Sequence, residues 1–238
     1  MLAGQDMDIR EVERLIQPSD GVVIDVGAEK GEVTRHFAEL GFTVLAIEPS
    51  LLNIIALIVS TLRYILTGRV RVFRLAASDF YGTAVLDTRG PSWAHFLRKG
   101  QTNDEESGEL VSVIRLGPWL AERGVKQVAF LKVDTEGSDY EVLSGYWSHI
   151  QTPSPRVVMF EFSHGELDRM LELVRQKGHW HFRFVCRWNE MENHESQIRW
   201  LVADGLHPQV VEADWGNAIC SKRGFRVLHP LKGSEAPF

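Results

Sequence analysis

The chain has 238 residues, a formal charge of −6 and 44% hydrophobic residues, which fits one sizeable globular domain over residues 1–238. The acidic balance argues against a nucleic-acid backbone as principal partner, because that partner requires a basic face. Two cysteines, Cys186 and Cys220, are too few for a disulfide framework or a paired-cysteine zinc site; they suit half-buried thiols in a reducing cytoplasm, a single disulfide being the other option.

Residues 1–20 lack the basic start and apolar core of a secretory signal, and Val12, Leu15 and Ile16 predict a short amphipathic helix against the sheet edge. Val22 to Val26 is a β-branched run suited to a strand covered on both faces. Gly27 and Gly31 then turn the chain, and Thr34, Phe37, Ala38 and Leu40 follow at helical spacing until Gly41 stops the helix. Phe42 to Ile47 is a second apolar run that ends at Glu48-Pro49. An acid about 20 residues beyond such a turn is where a doubly wound sheet bonds the ribose of a nucleotide ligand, so Glu48 is expected to face the mouth of the turn.

The charges around the turn constrain that ligand. A dinucleotide site shows G-x-G-x-x-G and aims helix N–H groups at a pyrophosphate, whereas this loop is G-x-x-x-G with Asp25, Glu29 and Glu32 around it. Carboxylates repel a pyrophosphate at short range. They suit a cationic, phosphate-free nucleoside, of which S-adenosylmethionine is the common one.

Leu51 to Leu66 is the most hydrophobic segment. It is shorter than the roughly 20 residues needed to cross a bilayer and is interrupted by Asn53, Ser60, Thr61 and Arg63, so it reads as a helix packed between layers or in a dimer interface, without membrane insertion. Val70 to Ala77 predicts a third strand; Ala77, Ser78 and Asp79 at its end would lie beside the adenine, or Asp79 opens a turn. Residues 87–109 run polar and predict a mobile cover over an acceptor pocket, with Trp93, His95 and Phe96 as its apolar elements. Val111 and Val113 return as a strand, and Trp119 to Arg123 as a short helix.

Val128 to Val133 is another buried strand, ending in Asp134-Thr135-Glu136-Gly137 and followed by a helix with Asp139 and Glu141 in its first turn. Alternation puts Lys132, Asp134 and Glu136 on one side, facing the crevice of Gly27. Asp134 and Glu136 could take a proton, bind a divalent cation or orient the methionine ammonium group. Val157 to Phe162 is a fifth strand with Glu161 inside it and His164 just past its end; either could serve as base, and Glu161 equally suits a structural salt bridge. Leu167 to Val174 is an amphipathic helix. His179 to Trp188 alternates, with Trp180, Phe182, Phe184, Cys186 and Trp188 on one face and His179, His181, Arg183 and Arg187 on a solvated one. His-x-His has no third ligand at strand spacing, so no metal site is assigned there. Ile198 to Leu206 predicts a helix and Trp215 to Cys220 a last strand, while Trp188, Trp200 and Trp215 suit core or acceptor pocket equally.

Four blocks together resemble the FkbM family of S-adenosylmethionine-dependent methyltransferases: Ile24-Asp25-Val26-Gly27-Ala28-x-x-Gly31, Ala46-Ile47-Glu48-Pro49, Ala76-Ala77-Ser78-Asp79-x-x-Gly82, and Leu131-Lys132-Val133-Asp134-x-Glu136-Gly137 with Glu141-Val142-Leu143-x-Gly145. The resemblance implies an α/β fold of the class I methyltransferase (Rossmann-like) type, a doubly wound, mostly parallel seven-stranded sheet with helices on both faces. It also implies methylation of a hydroxyl on a sugar, polyketide or other small molecule. By position, Asp25, Gly27, Ala28, Glu29 and Gly31 match the cofactor loop, Glu48 and Pro49 the ribose acid, Ala77, Ser78 and Asp79 the adenine-side turn, and Asp134 and Glu136 the acids after the strand. Two departures stand out. Glu29 replaces the asparagine of the usual Gly-Ala-Asn-x-Gly, and Arg115-Leu116-Gly117 stands where the family has Thr-Leu-Asp.

The expected reaction is in-line attack of a substrate oxygen on the sulfonium methyl, with Asp134, Glu136, Glu161 or His164 relieving the oxygen of its proton. Magnesium between Asp134 and Glu136 is the alternative way to acidify the hydroxyl. Two other classes share the fold: an NAD-dependent oxidoreductase, disfavoured by the missing second glycine, and a non-catalytic S-adenosylmethionine-binding scaffold.

Overall fold

The computed structural model describes residues 5–87, 96–98, 108–163, 166–192, 195–205 and 215–225. His164, Trp93, His95 and most of the expected cover over 87–109 lie outside the described residues. In chain order the elements are α1 (Gln5–Glu13), β1 (Val22–Val26), α2 (Glu32–Glu39), β2 (Val44–Ile47), α3 (Leu51–Leu66), β3 (Val70–Phe73), β4 (Ala76–Ser78), β5 (Gly82–Asp87), β6 (Phe96–Arg98), β7 (Gly108–Arg115) and α4 (Leu116–Glu122). They continue with β8 (Val128–Val133), α5 (Asp139–Tyr146), β9 (Val157–Ser163), α6 (Leu167–Gln176), β10 (His181–Glu192), β11 (Glu195–Asp204) and β12 (Trp215–Ser221).

The main sheet has the order β11-β10-β12-β9-β8-β1-β2-β3. Strands β3, β2, β1, β8 and β9 run parallel, and β12 pairs antiparallel with both β9 and β10. The seven expected strands are present, and β11 adds an eighth as antiparallel partner of β10. The chain winds outward through β2 and β3 on one side of β1, then returns to its other side with β8. That reversal opens a crevice at the carboxyl ends of β1 and β8, the place where open α/β sheets bind ligands.

Each face of the sheet carries a buried layer. Trp119, Leu120, Val142, Leu143, Leu171 and Val174 of α4, α5 and α6 pack with Ile24, Leu131 and Val158 on one side. Val12, Phe37 and Ala38 of α1 and α2 pack with Val23, Phe130, Met159 and Ile219 on the other. The N-terminal helix therefore lies on a sheet face over β9 and β12, not at the sheet edge as its periodicity suggested.

Other differences have local physical causes. The run Val70 to Ala77 divides at Arg74-Leu75, so β3 closes the main sheet while β4 joins a second sheet of order β4-β7-β5-β6. Thus Phe96 and residues 108–109, expected inside a loop, sit in strands. The segment expected as a helix over Ile198 to Leu206 is β11; its register against β10 (Cys186 opposite Leu201, Phe184 opposite Ala203) draws it into the sheet, overriding a mixed apolar pattern. The expected solvated face of His179 to Trp188 is also corrected. His179 is buried with its ring nitrogen Nε2 3.0 Å from the Pro155 carbonyl, Arg183 is buried, and Trp180 just before the strand is exposed instead. Cys186 and Cys220 are both free, so they form no disulfide, and full burial pushes their thiol pKa values up.

The α3 helix is capped by Ser50, whose side chain accepts from the Asn53 N–H. Its inner face packs Leu57 against Ala28 and Ala46 and adds Tyr64 to the α1–α2 layer. Among the described residues no element covers its outer face, so of the two expectations, a helix packed between layers or in a dimer interface, these residues do not show the first. Among the described residues no helix is long and apolar enough to cross a membrane.

The seating of α5 on β4 gives a direct test of packing. A Cβ on Gly145 would lie 2.0 Å from the Ser78 carbonyl oxygen, a backbone atom that cannot swing away. Gly145→Ala is expected to destabilise the protein by about 1–3 kcal/mol, the usual cost of forcing atoms into a packed site. Urea denaturation measures it, and an unchanged midpoint would contradict the close approach.

Candidate cofactor and acceptor site

The turn after β1 is held by its neighbours. The N–H groups of Gly27 and Ala28 both donate to the Ile47 carbonyl at 3.0 and 3.2 Å, and Gly31 N–H donates to the Ala28 carbonyl at 2.8 Å. Gly27 has φ +74°, and a Cβ there would meet the Asp134 carbonyl oxygen at 1.8 Å. Only glycine lets the tips of β1 and β8 come this close. Glu29 also takes a left-handed backbone, φ +46°. Asparagine tolerates that region better than glutamate, which gives a physical reason for the asparagine that the resembling loop carries.

Below the turn lies the site's cation. Lys132 is buried, with Nζ 3.0 Å from Asp134 Oδ2, 3.5 Å from Asp25 Oδ1, and donating to the Gly27 carbonyl at 3.3 Å. Burial works against its charge, but Asp134 and Asp25 outweigh it, and its pKa lies above the ordinary lysine value. Asp25 is fully buried and accepts from the Thr34 hydroxyl at 2.6 Å, so it anchors the first turn of α2 beneath the loop and does not open onto the crevice. Burial raises its pKa, with Lys132 and Thr34 acting in opposition.

Glu48 faces the turn, as expected, and both its oxygens are engaged by protein donors. Oε2 accepts from the Glu29 N–H at 3.0 Å, while Oε1 accepts from the Ser50 N–H at 2.9 Å and the Asn53 amide at 3.3 Å. Pro49 next to it is half-buried. Ala77 belongs to the same buried cluster as Val26 and Ile47; Ser78 is buried, and its hydroxyl meets the exposed Asp79 at 3.3 Å.

The acids at the ends of β8 and β9 converge. Carboxylate oxygens of Asp134, Glu136 and Glu161 all lie within 4.8 Å of one another. Asp139, buried at the start of α5, accepts from Thr135 N–H at 2.8 Å, Thr135 hydroxyl at 2.6 Å and Glu161 N–H at 3.0 Å, tying the two strand ends together. Among the described residues Glu161 makes no salt bridge, so its alternative structural role is not what the geometry shows. Burial and then the charge of Asp134 push Glu136 up to about 7 and Asp139 to about 6. Glu161 shifts upward for the same two reasons.

Two contributors went unread in the sequence. Asp8 of α1, 2% exposed, accepts from the Asn217 amide of β12 at 2.5 Å, and burial lifts its pKa to about 7 with Asp134 adding to the rise. Nothing in the local pattern of α1 signals this, because Asn217 is 209 positions away. Asp139 carried a signal, being read only as a helix-dipole residue. His164 lies outside the described residues.

Taken together, a doubly wound sheet with a glycine turn after β1, an acid after β2 and carboxylates after β8 defines the class I S-adenosylmethionine-dependent methyltransferases. Solved structures of the same fold include precorrin-6y C5,15-methyltransferase from Geobacter metallireducens (TM-score 0.52, 10% identity, 92% of this chain and 88% of that one). A second is an S-adenosylmethionine-dependent methyltransferase from Agrobacterium tumefaciens (TM-score 0.53, 11% identity, 94% and 63%). Residues 25–180 match the methyltransferase FkbM domain, and the chain is 31% identical over 195 residues to the 31-O-demethyl-FK506 methyltransferase FkbM of Streptomyces tacrolimicus, covering 68% of this chain and 74% of that protein. The chain belongs to the FkbM methyltransferase family, which sets aside the NAD-dependent alternative.

Two measurements check the site. Glu29→Asn is expected to stabilise the protein by about 0.5–1 kcal/mol by relieving the left-handed backbone, read by urea denaturation; a loss of stability would mean the Glu29 side chain contributes more than its conformation costs. The Glu136 pKa is raised from 4.5 to about 7 on folding, so the stability of its protonated form is complete below pH 4.5 and is lost as pH rises through 7. Glu136→Gln should therefore melt about 2–4 °C higher than wild type at pH 8, with the gap closing toward pH 4.5. A pH-independent difference would refute the shift.

Proposed function

We propose that the protein transfers the methyl group of S-adenosylmethionine to a hydroxyl of a small molecule such as a sugar, polyketide or other natural product. The observation that carries this reading is the convergence of Asp134, Glu136 and Glu161 beside the Gly27 turn, with Lys132 already engaged by Asp25 and Asp134. A crevice lined in this way fits a ligand with cationic sulfonium and ammonium groups and no phosphate. The name of the Streptomyces relative, an O-methyltransferase by its 31-O-demethyl substrate, supports oxygen as the acceptor atom.

In this reading the loop of Gly27, Ala28, Glu29 and Gly31 holds the cofactor, Glu48 with Pro49 bonds the ribose, Ala77, Ser78 and Asp79 border the adenine, and Asp134 orients the amino-acid end. S-adenosylmethionine supplies an electrophilic methyl group on a cationic sulfur. Glu136, poised near neutral pH, would accept the proton of the acceptor hydroxyl as the oxygen takes the methyl and the methyl–sulfur bond breaks to leave the neutral thioether S-adenosylhomocysteine. Glu161, held largely protonated by burial and by the neighbouring carboxylates, donates a hydrogen bond to the acceptor, and Asp139 keeps both strand ends in register. A divalent cation across Asp134, Glu136 and Glu161 is a second reading, favoured by the short separation of their oxygens.

Titration calorimetry is expected to show binding of S-adenosylhomocysteine and none of NAD. Glu136→Gln should retain that binding and lose about 10²–10⁴-fold in turnover of a hydroxylated acceptor, while wild-type kcat/KM rises with pH through about 7. Turnover that survives the substitution would rule out the base, turnover abolished by chelator would favour the cation, and cofactor binding without turnover on any hydroxylated acceptor would favour a scaffold.

A further inference from the structure

Among the described residues the outer face of α3 is apolar and open. Leu51, Leu52, Ile55, Ile58, Val59, Leu62 and Leu66 are between 39% and 79% exposed, although each is a large aliphatic side chain. A contiguous run of exposed aliphatic side chains of this kind marks an interaction site, since monomeric surfaces scatter such residues singly.

The pattern specifies what covers this face. Leu52, Ile55, Val59, Leu62 and Leu66 recur at alternating spacings of three and four, which is the a/d seam of a heptad repeat. Such a seam fits the side of another helix, whereas a lipid surface is met by a helix rich in lysine and arginine beside its apolar stripe. In α3 the one charged residue is Arg63, and it is bound to Glu39 and Tyr64. The seam is also self-complementary. In an antiparallel pair a positions face d positions, so Val59 of one copy meets Leu62 of the other and Ile55 meets Leu66, each pair occurring twice about a two-fold axis.

We propose that α3 is a self-association face on which a second copy of this chain packs its own α3 in antiparallel orientation. The pairing makes the protein an isologous homodimer. It does not depend on which acceptor is methylated.

Sedimentation equilibrium on the full chain is expected to give twice the chain mass at micromolar concentration. Val59→Glu combined with Leu62→Glu should weaken the dimer by about 100-fold or more. Both positions face solvent in the single chain, so circular dichroism and S-adenosylhomocysteine binding should be unchanged. Register is read by mixing Ile55→Cys and Leu66→Cys chains under oxidation, the native Cys186 and Cys220 being buried; the mixed disulfide should form faster than either self-pair. A monomeric wild type, a double variant that stays dimeric, or self-pairs that form first would each overturn the proposal. So would a wild-type monomer that sediments with anionic vesicles, which would assign the face to lipid.

Discussion

The Lys132 ammonium organises the crevice. It sits between the carboxylates of Asp25 and Asp134 and also donates to the Gly27 carbonyl, so one buried cation joins the tips of β1 and β8 to the turn between β1 and α2. Burying it alone would be costly, and burying Asp25 without it equally so; the pair is tolerable only because each offsets the other's lost hydration. The closeness that this arrangement demands is what makes Gly27 necessary, since any side chain there would strike the backbone of Asp134. Removing the cation would leave Asp25 uncompensated beneath the loop and free the turn from the strand beside it.

The same cation leaves the rest of the crevice with an excess of negative charge. Glu136 and Glu161 converge with Asp134 at the strand ends, Asp8 and Asp139 are buried within reach of the Asp134 charge, and Asp8, Glu136, Asp139 and Glu161 each hold their protons more tightly than they would in water. Retained protons relieve the repulsion in the free protein. A cationic ligand would relieve it instead, so the acids that cost the fold stability are the ones that would favour binding. This is the general exchange of stability for function seen where like charges are held together by a rigid scaffold.

Much of this was legible in the sequence because it is local. The strand-turn-helix unit around Gly27, the acid at Glu48 and the Asp134-Thr135-Glu136 block each show themselves within a few residues. What stayed hidden depends on partners far away. The β11 strand exists because β10 offers it a ladder, so Ile198 to Leu206 could not be assigned from its own apolar residues. Arg183 looked solvated by alternation, yet Glu11 of α1 and Asp204 beside β10 hold it inside. Glu29 is the intermediate case. Its departure from asparagine was visible, and only the backbone angle shows why that position favours asparagine.

The first helix is tied to the far end of the chain, through Asp8 to Asn217 across 209 positions and through Glu11 to Arg183 across 172. Its last residue, Glu13, also meets His36 of α2, so α1 has one polar anchor close in sequence, while the two distant ones form only once β10 and β12 are in place. The Lys132 cluster can assemble earlier, from β1 and β8. The contacts of α1 with β10 and β12 must therefore form late, so the full seating of this helix reports that the sheet is complete.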